Sequence, residues 1–553
     1  MALVTRILTA LLLLVSVSAD AQFKYENALI EIIDSGVEPE SPGVAVGVLT
    51  DDRIAFMHYA GLANLESSTP IDANSRFNIA SNAKQFTALM ILELVEQGLI
   101  DLDADFREYL PEAMPGIAQP ISVKSLLTHT SGVRDLYDLI AMTGVTWYER
   151  PLDNGDAMDL LNRQVELNFP VASEYQYSNS NYILLAEVIE AISETRFNEY
   201  ANAFFARLEM DGTVVRRRYG EVVPNVARAY GKWSGWLEDP SIANTFGDGF
   251  LYTTLKDQLA WEAQVWGGES TLQSDLIARS QQPIDGVSAT DDYGYGLEFG
   301  NFRGLATTFH IGSTGGYNAY TLRFPSLEAS IVVMANSGAI DVVGLGQRVA
   351  SVVFEGQLPS ETSYPPEPAE VGSSVAIERF AGLYELDSGT FIRLVVRDGD
   401  LFREISGAEP VRMVPERGNL FHYESNPDLK LALFEAADGL RSFGIYAPFQ
   451  APQFATPLTE TPVGEDYRQR LQGTFVNSET DTEITLEYLD GDAFAMIKNG
   501  RRREATLVGK NYLAWNAYRF RVVFDDSGYA EALVVDRGRI RNVVFQRART
   551  DKQ

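Results

Sequence analysis

A serine and a lysine three residues apart, Ser81 and Lys84, are the pair in this sequence with the clearest chemical potential. One turn of helix would place both side chains on the same face. A serine hydroxyl is a weak nucleophile near neutral pH and needs a base beside it. A lysine amine can be that base where burial and neighbouring charges lower its pKa. The pair alone is a weak signal, because Ser-x-x-Lys is expected by chance in a chain of this length.

A second polar segment offers a proton relay for such a nucleophile. Tyr177 and Asn179 lie two residues apart, directly before an amphipathic run, so both side chains can point into a cleft from a loop-to-helix junction. Taken alone, this pattern is typical of a helix N-cap with a packed tyrosine.

A third segment, which begins at His310, is rich in glycine. Gly312 would let the edge of a strand approach a ligand closely. Backbone N–H groups on such an edge, including that of Ser313, can stabilise an oxyanion or pair with an extended substrate. Without the other two segments, a glycine-rich strand and turn would usually be structural.

The composition excludes several classes of protein. The 553 residues suggest two to four domains, and 45% hydrophobic residues indicate a globular protein. A net charge of -31 disfavours nucleic acid and anionic lipid as partners. There is no cysteine, and the four histidines are far apart in the sequence, so neither disulfides nor a histidine-rich metal site is expected. We expect neither a metal nor an organic cofactor.

The N-terminus has the pattern of a secretory signal. Arg6 precedes the short apolar run 7–17, and Ala19-Asp20-Ala21 provides a small-x-small cleavage site. We therefore expect residues 1–21 to be removed, leaving a periplasmic or secreted protein with no stable membrane insertion. The alternative is a membrane anchor, for which the apolar run is short.

Residues 22–358 have the pattern of one α/β unit. The runs 43–49 and 53–61 are spaced like a hairpin, and 320–324 and 330–336 have the pattern of paired strands. Apolar residues recur at helical spacing from Phe86 to Val95, and Gly98 ends that pattern. Strands at both ends with helices between them fit a sheet whose first and last strands meet.

The rest of the chain has the pattern of β structure. A proline-containing linker is predicted at 359–374, followed by two small antiparallel barrels or sandwiches at 375–450 and 463–553, joined by the stretch 448–462. The two segments look related. Each begins with glycine two residues before an aromatic residue and later has an Asp-Gly-Asp turn, and both landmarks recur in the second segment about 90 residues after the first.

In their order, the three motifs resemble those of the serine β-lactamase and penicillin-binding protein superfamily. The Tyr-x-Asn form of the second motif is similar to the branch of class C β-lactamases, D-aminopeptidases, DD-carboxypeptidases and related esterases. Stretches at 126–132, 247–254 and 293–297 are also similar to recurrent stretches of that branch. The resemblance covers about residues 25–355. It implies an α/β penicillin-recognising domain with a central antiparallel sheet, followed here by two β-barrels, as in D-aminopeptidases.

The resemblance also implies a role for each motif residue. Ser81 would be the acylated nucleophile, and Lys84 would accept its proton or tune its acidity. Tyr177 would be the general base and acid, held as a low-pKa phenol by Lys84. Asn179 would orient Lys84 and substrate amides, and the backbone N–H groups of Ser81 and Ser313 would form the oxyanion hole.

His310 departs from the pattern, because most members have lysine at this position. A neutral histidine lacks the fixed charge that helps to hold a substrate carboxylate, which weakens the case for a dedicated β-lactamase. Histidine at this position is found in D-aminopeptidases and family esterases. In D-aminopeptidases, a loop from the last barrel can also reach the active site and restrict access.

The sequence therefore predicts an exported serine hydrolase that acts through an acyl-enzyme on a small molecule or short peptide, most similar to a D-aminopeptidase. An esterase, or a DD-carboxypeptidase with weak β-lactamase activity, is the alternative within the family. A non-catalytic protein that binds cell-wall peptide is the alternative from another class, and the barrels could equally be a carbohydrate- or partner-binding module. The sequence leaves the oligomeric state open.

Overall fold

We describe a computed structural model of the protein. The structure describes residues 23–145, 150–249, 251–287, 292–358, 376–387, 389–436, 439–446, 452–459 and 463–548. The predicted signal peptide and the predicted linker lie outside the described residues. Among the described residues, no helix is both long enough and apolar enough to cross a lipid bilayer.

The first part of the chain is an α/β unit that ends near residue 358. Its strands are β1 (Val44–Thr50), β2 (Arg53–Ala60), β3 (Leu62–Asn64), β4 (Thr69–Pro70), β5 (Phe77–Asn78), β6 (Val214–Val215), β7 (Tyr230–Lys232), β8 (Trp236–Glu238), β9 (Leu251–Thr253), β10 (Tyr293–Gly294), β11 (Leu297–Phe302), β12 (Leu305–Thr314), β13 (Tyr317–Phe324) and β14 (Ala329–Ala335). Its helices are α1 (Glu26–Ser35), α2 (Lys84–Glu96), α3 (Val123–Leu127), α4 (Leu136–Thr143), α5 (Asn154–Leu161), α6 (Asn179–Ser193), α7 (Phe197–Arg207), α8 (Leu255–Val265), α9 (Ser274–Ser280) and α10 (Val342–Val353).

The central sheet is antiparallel, with the order β10-β11-β12-β13-β14-β1-β2. Strand β1 pairs with β14 in the register Val44 to Ala335, which confirms that the first and last strands meet. Asp51 and Asp52 connect β1 to β2 with φ of 51° and 59°, the geometry of a tight hairpin turn. Apolar residues of α1 and α10 cover one face of the sheet, and the other face packs on α8 and the helical layer.

Helix α2 lies in the middle of that helical layer. It follows a 3-10 turn at Ala80–Ala83, and ten of its thirteen residues are buried, as the apolar pattern on most of its sides predicts. Gly98, with φ of 70°, lies just beyond the helix end. The core therefore fixes the backbone that bears Ser81 and Lys84.

Two closed eight-stranded antiparallel barrels follow, which confirms the predicted architecture. The first barrel consists of β15 (Gly382–Leu386), β16 (Phe391–Arg397), β17 (Asp400–Glu404), β18 (Val411–Arg417), β19 (Leu420–Tyr423), β20 (Asn426–Glu435), β21 (Arg441–Tyr446) and β22 (Gln453–Leu458). After helix α11 (Glu465–Gln469), the second consists of β23 (Gly473–Asn477), β24 (Thr482–Tyr488), β25 (Ala493–Lys498), β26 (Arg501–Val508), β27 (Tyr512–Trp515), β28 (Tyr518–Phe524), β29 (Ala530–Arg537) and β30 (Ile540–Arg547).

The two barrels share the landmarks that the sequence repeat predicts. Gly382 and Gly473 begin the first strand of each barrel with φ of 156° and 152°. The two Asp-Gly-Asp turns connect the second strand to the third in both barrels. The predicted end of the first barrel at residue 450 falls short of its eighth strand β22. The proline-containing stretch 448–462 is predicted to be a connector, because proline is uncommon inside sheets, yet Pro457 within it pairs with Tyr384 in the closed barrel.

The second barrel packs directly on the α/β unit. A buried ion pair joins Arg134 to Glu479, with 2.8 Å between Nη1 and Oε2. Lys498 donates a 2.9 Å hydrogen bond to the carbonyl of Ala141 at the end of α4. The backbone N–H of Arg539, in the short turn between β29 and β30, donates to Asp138 Oδ2 at 2.7 Å. These contacts hold that turn against the first turn of α4.

Candidate active site

Ser81 lies at the bottom of a cleft of about 470 Å³, between β5 and α2. The preceding residue, Ala80, has φ of 47°, a conformation that non-glycine residues rarely adopt. The side-chain oxygen of Asn78 accepts a 2.8 Å hydrogen bond from the Ala80 N–H and so supports this conformation. The sharp turn at Ala80 precedes α2 directly and places Ser81 on the cleft wall.

Lys84 is fully buried directly behind Ser81. Its ammonium group donates to Ser81 Oγ at 3.1 Å, to Asn179 Oδ1 at 2.9 Å and to the carbonyl of Asp248 at 2.6 Å. Burial lowers the Lys84 pKa to about 7; the charge of Asp248 opposes this shift, and the charge of Arg539 adds to it. Near neutral pH, about half of the Lys84 side chains are therefore free amines that can accept a proton.

Tyr177 lies beside Ser81 and Lys84. Its ring centroid is 5.0 Å from Lys84 Nζ and 4.7 Å from Arg539 Cζ. Its buried hydroxyl makes no regular hydrogen bond to the described residues, although Ser81 is close enough to lower its pKa. Burial outweighs that effect and the charge of Arg539, so the Tyr177 pKa is well above its ordinary value. The expectation of a low-pKa phenol is thus wrong for this structure, in which Tyr177 is a neutral proton donor.

Asn179 connects Lys84 to a carboxylate that the sequence did not single out. Its backbone N–H and its Nδ2 both donate to Asp135 Oδ2, at 2.7 and 2.9 Å, while its Oδ1 accepts from Lys84. Asp135 also accepts a 3.0 Å hydrogen bond from the Tyr137 N–H as the N-cap of α4. Asp135 therefore fixes the amide orientation of Asn179, so that its oxygen faces Lys84.

His310 lies on β12 beside Tyr177 and is buried. Its Nε2 is 3.0 Å from the Tyr293 hydroxyl, and its Nδ1 is 2.8 Å from the carbonyl of Ile311. That carbonyl can only accept, so Nδ1 bears the proton and Nε2 accepts from Tyr293. Burial and the charge of Lys84 lower the His310 pKa to about 3. The third motif thus contributes a neutral side chain at any pH near 7.

The backbone of the third motif contacts the nucleophile turn directly. A Cβ at Gly312 would lie 2.1 Å from the Ile79 carbonyl oxygen and 3.1 Å from Ser81 N, so only glycine permits this approach. The pairing of β11 with β12 ends at Phe309, and Ser313 beyond it lines the cleft. The N–H groups of Ser81 and Ser313 thus belong to the segments that a substrate carbonyl in the cleft would meet.

The structure brings all seven predicted residues together around one cleft: Ser81, Lys84, Tyr177, Asn179, His310, Gly312 and Ser313. It also adds residues that sequence reasoning did not place in the site: Asp135, Asp248, Tyr293, Glu298 and Arg539. Asp248 and Tyr293 lie within the family-like stretches, which was a usable signal. No local pattern indicated Arg539, because it reaches the cleft from the second barrel.

His129, in another of those stretches, supports the second motif. Its Nδ1 accepts a 3.2 Å hydrogen bond from the Ser178 N–H, and its ring centroid is 4.3 Å from that of Tyr177. Burial lowers the pKa of His129 well below its usual value, so the ring is neutral. Among the described residues, no group of three or more His, Asp or Glu side chains is arranged to hold a metal ion.

Comparisons with known proteins agree with this architecture. The model of the beta-lactamase family matches residues 29–352, more than half of the chain. The chain therefore belongs to the beta-lactamase family, and it is a serine hydrolase.

Individual relatives indicate which members of the family this chain is similar to. The chain is 28% identical over 337 residues to a D-aminopeptidase of Gluconobacter oxydans, a match over 59% of this chain and 61% of that protein, which is less than two thirds of its length. It is 25% identical over 469 residues to a D-aminopeptidase of Brucella anthropi, over 77% of this chain and 86% of that protein. The octameric penicillin-binding protein homologue from Pyrococcus abyssi shares the fold, with a TM-score of 0.55 and 19% identity over 78% of this chain and 98% of that one.

Proposed function

We propose that the protein is an exported hydrolase that cleaves amide bonds through an acyl-enzyme on Ser81, and that its substrates are short peptides or amides with D-residues. One observation supports the mechanism above all others: a buried Lys84 with a pKa of about 7 lies 3.1 Å from the Ser81 hydroxyl. This is the arrangement of a nucleophile with its base. The cleft volume also lies in the range of small-ligand sites.

Acylation then follows from the positions of these groups. Neutral Lys84 accepts the Ser81 proton as Oγ forms a bond to the substrate carbonyl carbon. The N–H groups of Ser81 and Ser313 stabilise the oxyanion. When the tetrahedral intermediate collapses, the C–N bond breaks, Tyr177 gives its proton to the leaving amine, and the Lys84 ammonium group returns a proton to Tyr177.

Deacylation uses the same groups in reverse. Water forms a bond to the ester carbonyl carbon and gives a proton to the restored amine of Lys84. The bond between that carbon and Ser81 Oγ then breaks, and the Lys84 ammonium group returns the proton to Ser81 Oγ, 3.1 Å away. Each step moves only protons and the acyl group between groups of this chain and substrate or water, so no cofactor is needed in this proposal.

The preference for D-amino substrates rests on the relatives. Two of them are D-aminopeptidases, at 28% and 25% identity. The neutral His310 supports a different part of the proposal, the choice of amides over β-lactams, because no fixed charge in the third motif favours a carboxylate beside the scissile bond. Esterase and DD-carboxypeptidase activities remain the alternatives that the same machinery would support.

A non-catalytic binding protein is the competing function from another class. It would not require a base of lowered pKa against a serine hydroxyl. The network of Lys84, Asn179 and Asp135 is complete, which favours catalysis.

The test is intact-mass labelling with a fluorophosphonate, followed by hydrolysis assays on D- and L-amino acid amides, short D-peptides, acyl esters and penicillins. Wild-type protein should gain one adduct, and Ser81→Ala should lose both the adduct and turnover by several orders of magnitude. Ser35→Ala, at an exposed serine at the end of α1, is the matched control and should behave like wild type. Full turnover by Ser81→Ala would refute the mechanism, and penicillins as the best substrates would refute the substrate class.

Export is a separate part of the proposal and has its own test. The charged start, short apolar run and Ala-x-Ala site support it. Expression of the full chain in a Gram-negative host, followed by N-terminal sequencing, should give a mature protein that begins at Gln22 in the periplasm or medium. A chain that keeps residues 1–21 and stays with the cytoplasmic fraction would contradict export.

A further inference from the structure

One charged side chain in the cleft has no part in the chemistry described above. Glu298 lines the same cleft as Ser81 and His310. It lies at the start of β11, where it pairs in register with Tyr293 on one side and Phe309 on the other. Phe309 is three residues from Gly312, so Glu298 is about 10 Å along the sheet from the nucleophile turn, by the rise of a strand.

Glu298 differs from the other carboxylates around the cleft because it lacks a partner. Among the described residues, no side chain or N–H group donates a hydrogen bond to it or forms an ion pair with it. Asp135 instead accepts two hydrogen bonds from Asn179, and Asp248 accepts from Tyr137 at 2.8 Å. Burial raises the Glu298 pKa to about 7. A half-buried carboxylate without a donor is unfavourable to keep charged unless a ligand supplies one.

The positive groups of the cleft do not neutralise Glu298. The Arg539 guanidinium is 3.5 Å from Asp135, and the charge of Asp138 also raises its pKa. Lys84 donates hydrogen bonds to Asn179 and to the carbonyl of Asp248, and about half of the Lys84 side chains are uncharged near pH 7. Glu298 is therefore the cleft carboxylate that remains available to a cation from solution.

We propose that Glu298 binds a cationic amine of the substrate, so that the cleft selects peptides and amides bearing a positively charged nitrogen. This inference rests on the proposed function, since it names the group by which that site recognises its substrate. Two sources share this chemistry: the N-terminal amine of a short peptide, and the side-chain amine of a lysine-type residue. Both sources are compatible with the structure, because Glu298 and Ser81 line the same cleft about 10 Å apart along the sheet.

The experiment compares matched pairs of p-nitroanilide substrates. D-Ala and N-acetyl-D-Ala differ in the N-terminal amine, whereas N-acetyl-D-Lys and N-acetyl-D-norleucine differ only in the side-chain ammonium group. Wild type should prefer the amine-bearing member of at least one pair by about tenfold or more in kcat/KM, the size expected of a charge-assisted hydrogen bond. The pair that responds identifies the source of the amine.

Glu298→Gln should remove that preference, and the exposed Glu355→Gln, on the last turn after α10, should keep it. For the N-acetyl-D-Lys and N-acetyl-D-norleucine pair, whose ammonium group stays charged in this range, any wild-type preference should also increase from pH 6 to pH 8, as Glu298 loses its proton. An unchanged ratio in Glu298→Gln, or no preference in either wild-type pair, would overturn the inference.

A binding measurement separates this inference from the proposed function. Calorimetry is carried out on Ser81→Ala, so that no turnover occurs. D-alanine amide is compared with N-acetyl-D-alanine amide, and D-lysine amide is compared with D-norleucine amide. Tighter binding of an amine-bearing ligand that disappears in Ser81→Ala/Glu298→Gln supports the role of Glu298, even if wild type hydrolyses none of these amides. Equal binding of both members of each pair contradicts it, even if the catalytic mechanism is correct.

Discussion

The strongest test of the site is the pH dependence of Ser81 acylation. The reactive form of Lys84 is its free amine, whose pKa of about 7 lies well below the ordinary 10.5. That difference corresponds to about 5 kcal/mol against the charged form, which burial supplies in excess of the opposing charge of Asp248. The fraction of free amine is then about 9% at pH 6, about 50% at pH 7 and about 90% at pH 8. Acylation should therefore accelerate about tenfold between pH 6 and pH 8.

The assay is the second-order rate of fluorophosphonate labelling of Ser81, followed by intact mass across that pH range. A neutral reagent is chosen because Glu298 also has a pKa of about 7 and would affect the binding of a cationic substrate. His310, with a pKa of about 3, does not titrate in this range. The ascending limb should persist in Glu298→Gln, which assigns it to Lys84.

Arg539 provides a second perturbation of the same limb. Its charge lowers the Lys84 pKa, so Arg539→Gln should raise that pKa and move the midpoint of the limb to higher pH. Arg53→Gln, at an exposed arginine in β2, should leave the midpoint in place. A labelling rate that is flat from pH 6 to pH 8 in wild type would refute the assignment of Lys84 as the base, because a permanently charged lysine predicts that result.

Three further predictions concern other parts of the molecule. Tyr177→Phe should fold normally and slow turnover by roughly 10²- to 10⁴-fold, as a loss of proton donation to the leaving group; wild-type turnover would place that proton path elsewhere. His310→Lys should raise kcat/KM for carboxylate-bearing substrates relative to neutral ones, because it adds a charge near the third motif; an unchanged ratio in the same substrate panel would contradict this. Glu262→Gln should lower the free energy of unfolding by about 3–5 kcal/mol in urea titrations, because it leaves the buried Arg323 guanidinium, 2.7 Å away, without its counter-charge; a loss below about 1 kcal/mol would contradict this.

Residue spacing and turn residues in the sequence were enough to predict helix α2, the hairpin of β1 and β2, and the two barrels. The apolar spacing after Ser81 placed α2 correctly, because a helix buried on most sides has few other ways to satisfy its backbone and side chains. The turn residues Asp51 and Asp52 marked a real hairpin, and the repeated Asp-Gly-Asp turns marked two real barrels. Strand β22 was missed because Pro457 is locally a signal for a connector.

The remaining features of the site depend on contacts between distant segments. The high pKa of Tyr177 follows from its burial among residues of distant segments, which no motif encodes. The place of Asp135 follows from the meeting of the N-termini of α4 and α6. Arg539 reaches the cleft only because the second barrel packs on α4.

That packing has a consequence for the timing of biosynthesis. Arg539 leaves the ribosome about 460 residues after Ser81, which at the usual speed of synthesis is roughly 20 to 90 s later. In that interval, the Arg539 charge that adds to the effect of burial on the Lys84 pKa is not yet present. Until the second barrel has closed and packed on α4, Lys84 holds its proton more tightly and Ser81 is a weaker nucleophile. We therefore expect a chain that ends before the second barrel to react more slowly at Ser81 than the full chain does.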